Sequence, residues 1–196
     1  MTVLAPRVVE ATNRGFQCAY ERYAEHPYGL GQVVAVREGP HVVFGVVADA
    51  ASGPEDPSRP LQSRGQPGQT AAEVMAANPE IRMLLRTRVT IVICGYAEGE
   101  VTRATLPPVP PPLLAEVERA SPQEIARVAE GGAFLSLLLN APGCDDEVIA
   151  AAVRAAGTGL SAPVRREFVI SAGKELARLL KAEPARLASI IRSVGP

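Results

Sequence analysis

Tryptophan is absent from this 196-residue sequence, and aromatic residues make up only 4% of it. Few aromatic side chains are therefore present that could stack on the bases of single-stranded nucleic acid. The three cysteines, Cys18, Cys94 and Cys144, are scattered, which favours a reduced compartment over a disulfide framework. No apolar run approaches the ~20 residues that cross a bilayer, and the N-terminus lacks the pattern of an export signal. These absences predict a cytoplasmic protein that has no membrane association.

An excess of charge of one sign is also missing. The 20 basic and 21 acidic residues leave a net charge of −1, which argues against a protein that binds nucleic-acid phosphates over its whole surface. Hydrophobic residues make up 47% of the chain, which is ample for a packed core and excludes wholesale disorder. The length suits one large domain or two small ones.

The first half of the sequence has the pattern of short strands. Apolar-rich pieces run over 7–12, 15–20, 32–37, 41–50, 88–96 and 101–103, separated by turn-forming residues. Gly45, in the middle of the 41–50 run, predicts a bulge or bend of the kind that barrel strands need. We therefore expect a small N-terminal β-barrel or sandwich over residues 1–106.

Two segments interrupt or end this β region. Residues 51–79 are rich in Gly, Pro, Ser and charged residues, which predicts an exposed excursion. A short helix is expected within it over 70–77, with Thr70 as N-cap and Glu73 completing a capping box. Five prolines occupy six positions in 107–112, and this composition predicts an extended linker.

Helical periodicity begins at Leu113, so residues 113–196 are expected to form an all-helical domain and the fold class to be α+β. Ser121-Pro122-Gln123-Glu124 combines an N-cap serine, an early proline and a capping-box glutamate. An apolar helix is expected over 134–139, and another begins at the acidic residues 145–147. A final segment after Ser161 restarts at Pro184 and carries one apolar stripe.

Residue patterns for catalysis are sparse. The Gly173-Lys174 pair lacks the other elements of a nucleotide-binding loop, and the two histidines have no metal-ligand spacing. Cys94 follows an apolar strand, where packing is the expected role. The sequence therefore predicts a protein that is not an enzyme and needs no cofactor or metal. A hidden enzymatic site stays an alternative, with Asp49 and Cys18 as the first probes.

Candidate interaction residues lie in two places. Arg59 and Arg64 stand in the polar excursion, which could fold against a partner. Five more basic residues lie in the final helical segment, whose local charge is +4: Arg165, Arg166, Lys174, Arg178 and Lys181. A basic amphipathic helix can dock on nucleic acid or on an acidic protein. A solvated loop and a solvated helix face are the structural alternatives.

The β region resembles the HAS-barrel, the small N-terminal barrel of HerA-type DNA-translocating ATPases and rotary ATP synthase subunits. The resemblance lies in the Val-rich run 31–36, the Phe44-Gly45-Val46 strand, the polar excursion, the strand that ends in Gly95-Tyr96 and the Pro107-Pro108 exit. It covers roughly residues 1–112 and includes no catalytic residue. Unlike HerA-type proteins, this chain continues into helices that lack a phosphate loop.

The resemblance implies a barrel that mediates ring or partner contacts without its motor. We therefore expect a non-catalytic interaction or assembly module that forms a homo-oligomer or acts as an accessory to such an ATPase. The alternative is a DNA-binding protein in DNA processing that uses the basic C-terminal helices.

Overall fold

The computed structural model describes residues 5–158 and 160–195. Within these residues there are seven strands and seven α-helices. The strands are β1 (Arg7–Ala11), β2 (Gly15–Ala19), β3 (Val33–Glu38), β4 (His41–Pro54), β5 (Leu85–Glu98), β6 (Val101–Arg103) and β7 (Val117–Arg119). The helices are α1 (Ala71–Ala77), α2 (Ile81–Leu84), α3 (Pro122–Val128), α4 (Phe134–Leu139), α5 (Asp146–Thr158), α6 (Ala162–Leu179) and α7 (Pro184–Val194). The expected α+β class is confirmed at this level.

The strands form one curled antiparallel sheet in the order β1-β2-β5-β4-β3-β7, with β6 attached to β5. Backbone hydrogen bonds also join β1 to the residues just before β7. The N–H of Val8 donates to Ala115 at 3.0 Å, and the N–H of Leu114 donates to Val8 at 2.8 Å. Arg7 and Glu116 form an antiparallel bridge in the same place. The two ends of the curled sheet are therefore hydrogen-bonded to each other.

The expected irregularity at Gly45 is confirmed. The register of β4 against β5 shifts between Phe44 and Gly45. A Cβ atom at position 45 would lie 2.3 Å from Cγ2 of Ile91, so a larger residue would force the two strands apart. Glycine allows this close approach inside the sheet.

The proline segment is attached to the sheet. The side-chain amide of Asn13 donates to the carbonyl of Pro107 at 2.9 Å, and Pro107 and Pro111 are buried. Strand β7 follows the prolines and pairs with β3 over Val34–Val36. The sheet thus continues to Arg119, beyond Leu113, where sequence periodicity placed the start of the helical part. A three-residue strand is too short to show the alternating pattern that identifies strands in sequence.

The loop between β2 and β3 is held to the sheet by two tyrosines. The Tyr28 hydroxyl donates to the carbonyl of Val117 at 2.8 Å, and the Tyr28 N–H donates to the Tyr20 hydroxyl at 3.1 Å. Both rings are buried, and burial raises the pKa of Tyr28 to about 12. This loop therefore connects β2 with β7 through neutral, hydrogen-bonded phenols.

Both faces of the sheet are buried, each in its own hydrophobic cluster. On β5, Val89, Ile91 and Ile93 belong to one cluster, while Val92 and Cys94 belong to the other. Successive side chains point to opposite faces, so a continuous apolar run serves both. The second face packs against the helices through side chains that include Phe134, Leu135, Leu138, Ile149, Leu176 and Ile190. The helices therefore pack on the sheet.

The predicted helix starts are confirmed. Ser121 caps α3 and Thr70 caps α1, and in each case the glutamate three residues later completes a capping box. Helix α4 covers the predicted 134–139. Local side-chain hydrogen bonds decide the starts of α1 and α3, which is why the sequence alone locates them.

Candidate interaction surfaces

The predicted excursion is confirmed as an exposed segment. It leaves the sheet after Pro54, which pairs with Leu85 at the point of return. Residues 55–73 are exposed throughout, and the residues of α1 are exposed or half-buried. The N–H of Glu55 donates to the carbonyl of Leu84 at 2.8 Å and closes the base of the excursion.

The two predicted arginines of this segment have different surroundings. Arg59 lies 3.7 Å from the carboxylate of Asp56 and is 84% exposed. Arg64 donates to the Asn78 side chain at 3.1 Å and to Glu80 at 3.2 Å, which ties this part of the excursion to the end of α1. Both arginines therefore have an acidic partner within the excursion, and Arg59 is the more exposed of the two.

The five basic residues of the C-terminal segment lie on α6 or directly after it. Arg178 is paired with Glu175, at 2.8 and 2.6 Å, and the pair lowers the pKa of Glu175. Arg165 packs beside Gly157 of α5. Arg166, Lys174 and Lys181 are exposed, and among the described residues they form no ion pair. The structure thus separates three free cations from two engaged arginines.

A groove between β1 and the proline segment was not predicted. It has a volume of about 460 Å³, and its walls include Val9, Ala11, Pro110, Pro112 and Leu113. The sequence assigns the prolines to a linker and Leu113 to a helix, and neither assignment indicates a surface groove. Only the pairing of β1 with residues 114–117 brings the two walls together.

A second groove of about 640 Å³ lies on β1, β2 and β5. Three arginines line it, Arg7, Arg86 and Arg88, and so do three glutamates, Glu10, Glu21 and Glu55. Arg86 lies 2.9 Å from Glu55 and Arg7 lies 3.6 Å from Glu116. The charges balance, so the groove does not favour an anionic ligand.

The three cysteines are buried in environments that suit packing, whereas Asp49 is exposed. Burial raises the pKa of the Cys18, Cys94 and Cys144 thiols to about 12, which disfavours the nucleophilic thiolate. His41 is exposed and lies 3.5 Å from Glu98. Within residues 5–158 and 160–195, no group of three or more His, Cys, Asp or Glu side chains is arranged to hold a metal ion.

No protein-family model matches the chain, and no curated protein matches it significantly. In the described part of the chain, helices that are both long and apolar enough to cross a membrane are absent.

Proposed function

We propose that this protein is a non-catalytic assembly module, a HAS-barrel-like domain without its ATPase, which self-associates through its surface. The observation that carries the proposal is the number of large aliphatic side chains left outside two well-filled cores. Among the described residues, nine of these twelve side chains belong to three segments: the excursion (Leu61, Met83, Leu84), the proline segment (Val109, Leu113, Leu114) and the last two helices (Val164, Ile170, Ile191). The other three are Val9, Leu30 and Val101. Contiguous exposed apolar surface marks sites of protein association.

The β region supports the same proposal. Its strands are paired from end to end of the curled sheet, and both faces are filled with side chains. Such a sheet is a rigid platform, and functional contacts on rigid platforms are made by their loops and outer surfaces. The resemblance to the HAS-barrel points to a ring-forming or partner-binding role for this platform. It remains an analogy of pattern.

The test is the mass of the protein in solution. Size-exclusion chromatography with light scattering, run over a range of protein concentrations, is expected to give an assembly of two or more chains. A strict monomer at every concentration would overturn self-association. In that case, co-purification with a HerA-type ATPase would be the outcome that keeps the accessory role.

A second candidate function is binding to nucleic acid through α6. Arg166 and Lys174 are eight residues apart on the exposed side of the helix, about 12 Å along its axis. Together with Lys181 they offer three exposed cations, unpaired among the described residues, that can neutralise phosphates. Three such contacts predict a slope of roughly −3 for the logarithm of the binding constant against the logarithm of salt concentration.

Fluorescence anisotropy with a duplex DNA tests this second candidate. The variant Arg166→Glu, Lys174→Glu, Lys181→Glu is expected to abolish binding and its salt dependence. The control changes Arg59→Glu, an exposed arginine on the excursion, and is expected to bind as the natural sequence does. Absence of binding at ~50 mM salt would exclude this function.

A further inference from the structure

Two backbone irregularities lie next to the groove between β1 and the proline segment. The first is a bulge in β1, whose register against β2 shifts between Val8 and Glu10. Val9 is the extra residue, and its side chain is 46% exposed. A bulge changes the face of the sheet, or the direction, in which a side chain points compared with regular pleating. Here it leaves a β-branched aliphatic residue in solvent at the edge of the groove.

The second irregularity is Leu114, which has φ of 66°. This left-handed conformation is unfavourable for a leucine, because its Cβ crowds the backbone. Hydrogen bonds nevertheless hold it there: the Leu114 N–H donates to Val8, and the guanidinium of Arg7 donates to the Leu114 carbonyl at 2.8 Å. Leu113 and Leu114 are 63% and 68% exposed. Strained positions of this kind are concentrated at functional sites.

A ridge and a groove therefore lie side by side. The ridge is Leu113 and Leu114, and the groove runs between Val9 and Pro110 and shares Leu113 as a wall. The charged groups are complementary as well, since Arg7 lies beside Leu114 and Glu10 lines the groove. A surface that carries both a feature and its complement can pair with a copy of itself around a two-fold axis.

We propose that the ridge of one copy of this chain fits the groove of a second copy, and the reverse, with Arg7 of each copy facing Glu10 of the other. The proposal rests on the self-association described above and names its surface. Pairing would cover the two leucines and Val9 at once, which is the physical reason for keeping a strained leucine where glycine would be favoured.

The variant Leu114→Gly combined with Val9→Ser tests the surface by light scattering and sedimentation velocity. Glycine suits the positive φ, so the fold is retained while the Leu114 side chain of the ridge is removed. The expected result is a monomer under conditions in which the natural sequence is a dimer, with at least a tenfold weaker association. The control is Val101→Ser on β6, where the aliphatic residue is 53% exposed and so comparable with Val9. This variant protein is expected to remain a dimer.

A charge reversal at Glu10 tests the same contact independently and leaves Arg7, which holds Leu114 in place, unchanged. Glu10→Arg is expected to weaken the dimer strongly, because it places two arginines opposite each other, whereas Glu10→Gln only removes the attraction and is expected to weaken the dimer less. If the natural sequence is a dimer and neither variant set changes its association, the proposed surface is wrong while self-association stands. If the natural sequence is a monomer throughout, the surface and the self-association both fail.

Discussion

Arg37 on β3 holds the carboxylate of Glu124 in α3, with its Nη2 atom 2.9 Å from Oε1 and 2.8 Å from Oε2. Glu124 also accepts the N–H of Ser121 at 2.8 Å as part of the capping box. The same carboxylate therefore fixes the start of α3 and attaches it to the sheet. Burial acts to raise the pKa of Glu124, but the bonds from Ser121 and Arg37 outweigh it and lower that pKa.

We expect Arg37→Met to lower the free energy of unfolding by about 2 kcal/mol, since a mostly buried carboxylate loses its charged partner. The control is Arg59→Met, whose partner Asp56 is 3.7 Å away and half-exposed. That exposed pair is expected to contribute less than ~0.5 kcal/mol. Denaturant titration of both variants measures the difference. Equal losses would show that Arg37 acts only as surface charge.

The same pair predicts a pH dependence. The folded pKa of Glu124 lies below its ordinary value of 4.5, so its contribution to stability is present above pH 4.5 and is lost as the pH falls through the folded pKa. The stability difference between the natural sequence and Arg37→Met is therefore expected to shrink on acidification below pH 4.5. Urea titrations at a series of acidic pH values measure it, and a constant difference would contradict the expectation.

Gly31 is expected to be indispensable for joining the sheet to α5. Its φ is 79°, and a Cβ atom there would lie 2.2 Å from the carbonyl carbon of Ala151. Gly31→Ala is therefore expected to lower the free energy of unfolding by more than about 3 kcal/mol or to prevent folding. Gly39→Ala is the control, because Gly39 also has a positive φ, 58°, but open space around it. Backbone strain in that variant is expected to lower the free energy of unfolding by only about 1 kcal/mol.

The three thiols are expected to resist modification in the folded protein. With pKa values near 12 instead of 9.0, their thiolate fraction at pH 8 is smaller by a factor of about a thousand. A disulfide reagent should therefore titrate three thiols in denaturant and react far more slowly under native conditions. Because the folded pKa values are raised, the contribution of the three thiols to the free energy of unfolding is fully present below pH 9. It is lost as the pH rises towards 12. Rapid reaction of all three thiols in the folded protein would contradict this.

The two capping boxes are expected to differ in their effect. Ser121→Ala should lower global stability by about 1 kcal/mol, because α3 begins beside the shared core. Thr70→Ala should leave the global transition unchanged and speed amide exchange at Val74, since α1 is exposed and opens locally. Hydrogen exchange and thermal unfolding of both variants separate the two results. If Thr70→Ala lowered the global unfolding temperature, the excursion would have to unfold cooperatively with the core.

Sequence by itself determined the features that depend on neighbouring residues. Strands β4 and β5, the bulge at Gly45, the exposed excursion and both capping boxes follow from apolar runs, glycine geometry, polar composition and hydrogen bonds within three residues. Candidate surface residues were found only by charge. Charge could not tell that Arg64 and Arg178 are held by acidic neighbours while Lys174 forms no ion pair within the part of the chain that the structure describes.

Tertiary structure alone decided what lies across long separations in the chain. β1 meets residues 114–117 more than a hundred positions later, and this contact attaches the proline segment to the sheet and turns Leu113 and Leu114 into an exposed ridge. Ala151 of α5 approaches Gly31 closely enough to require glycine. Such pairings are selected by the packing of the whole chain, because no local pattern in either partner specifies the other.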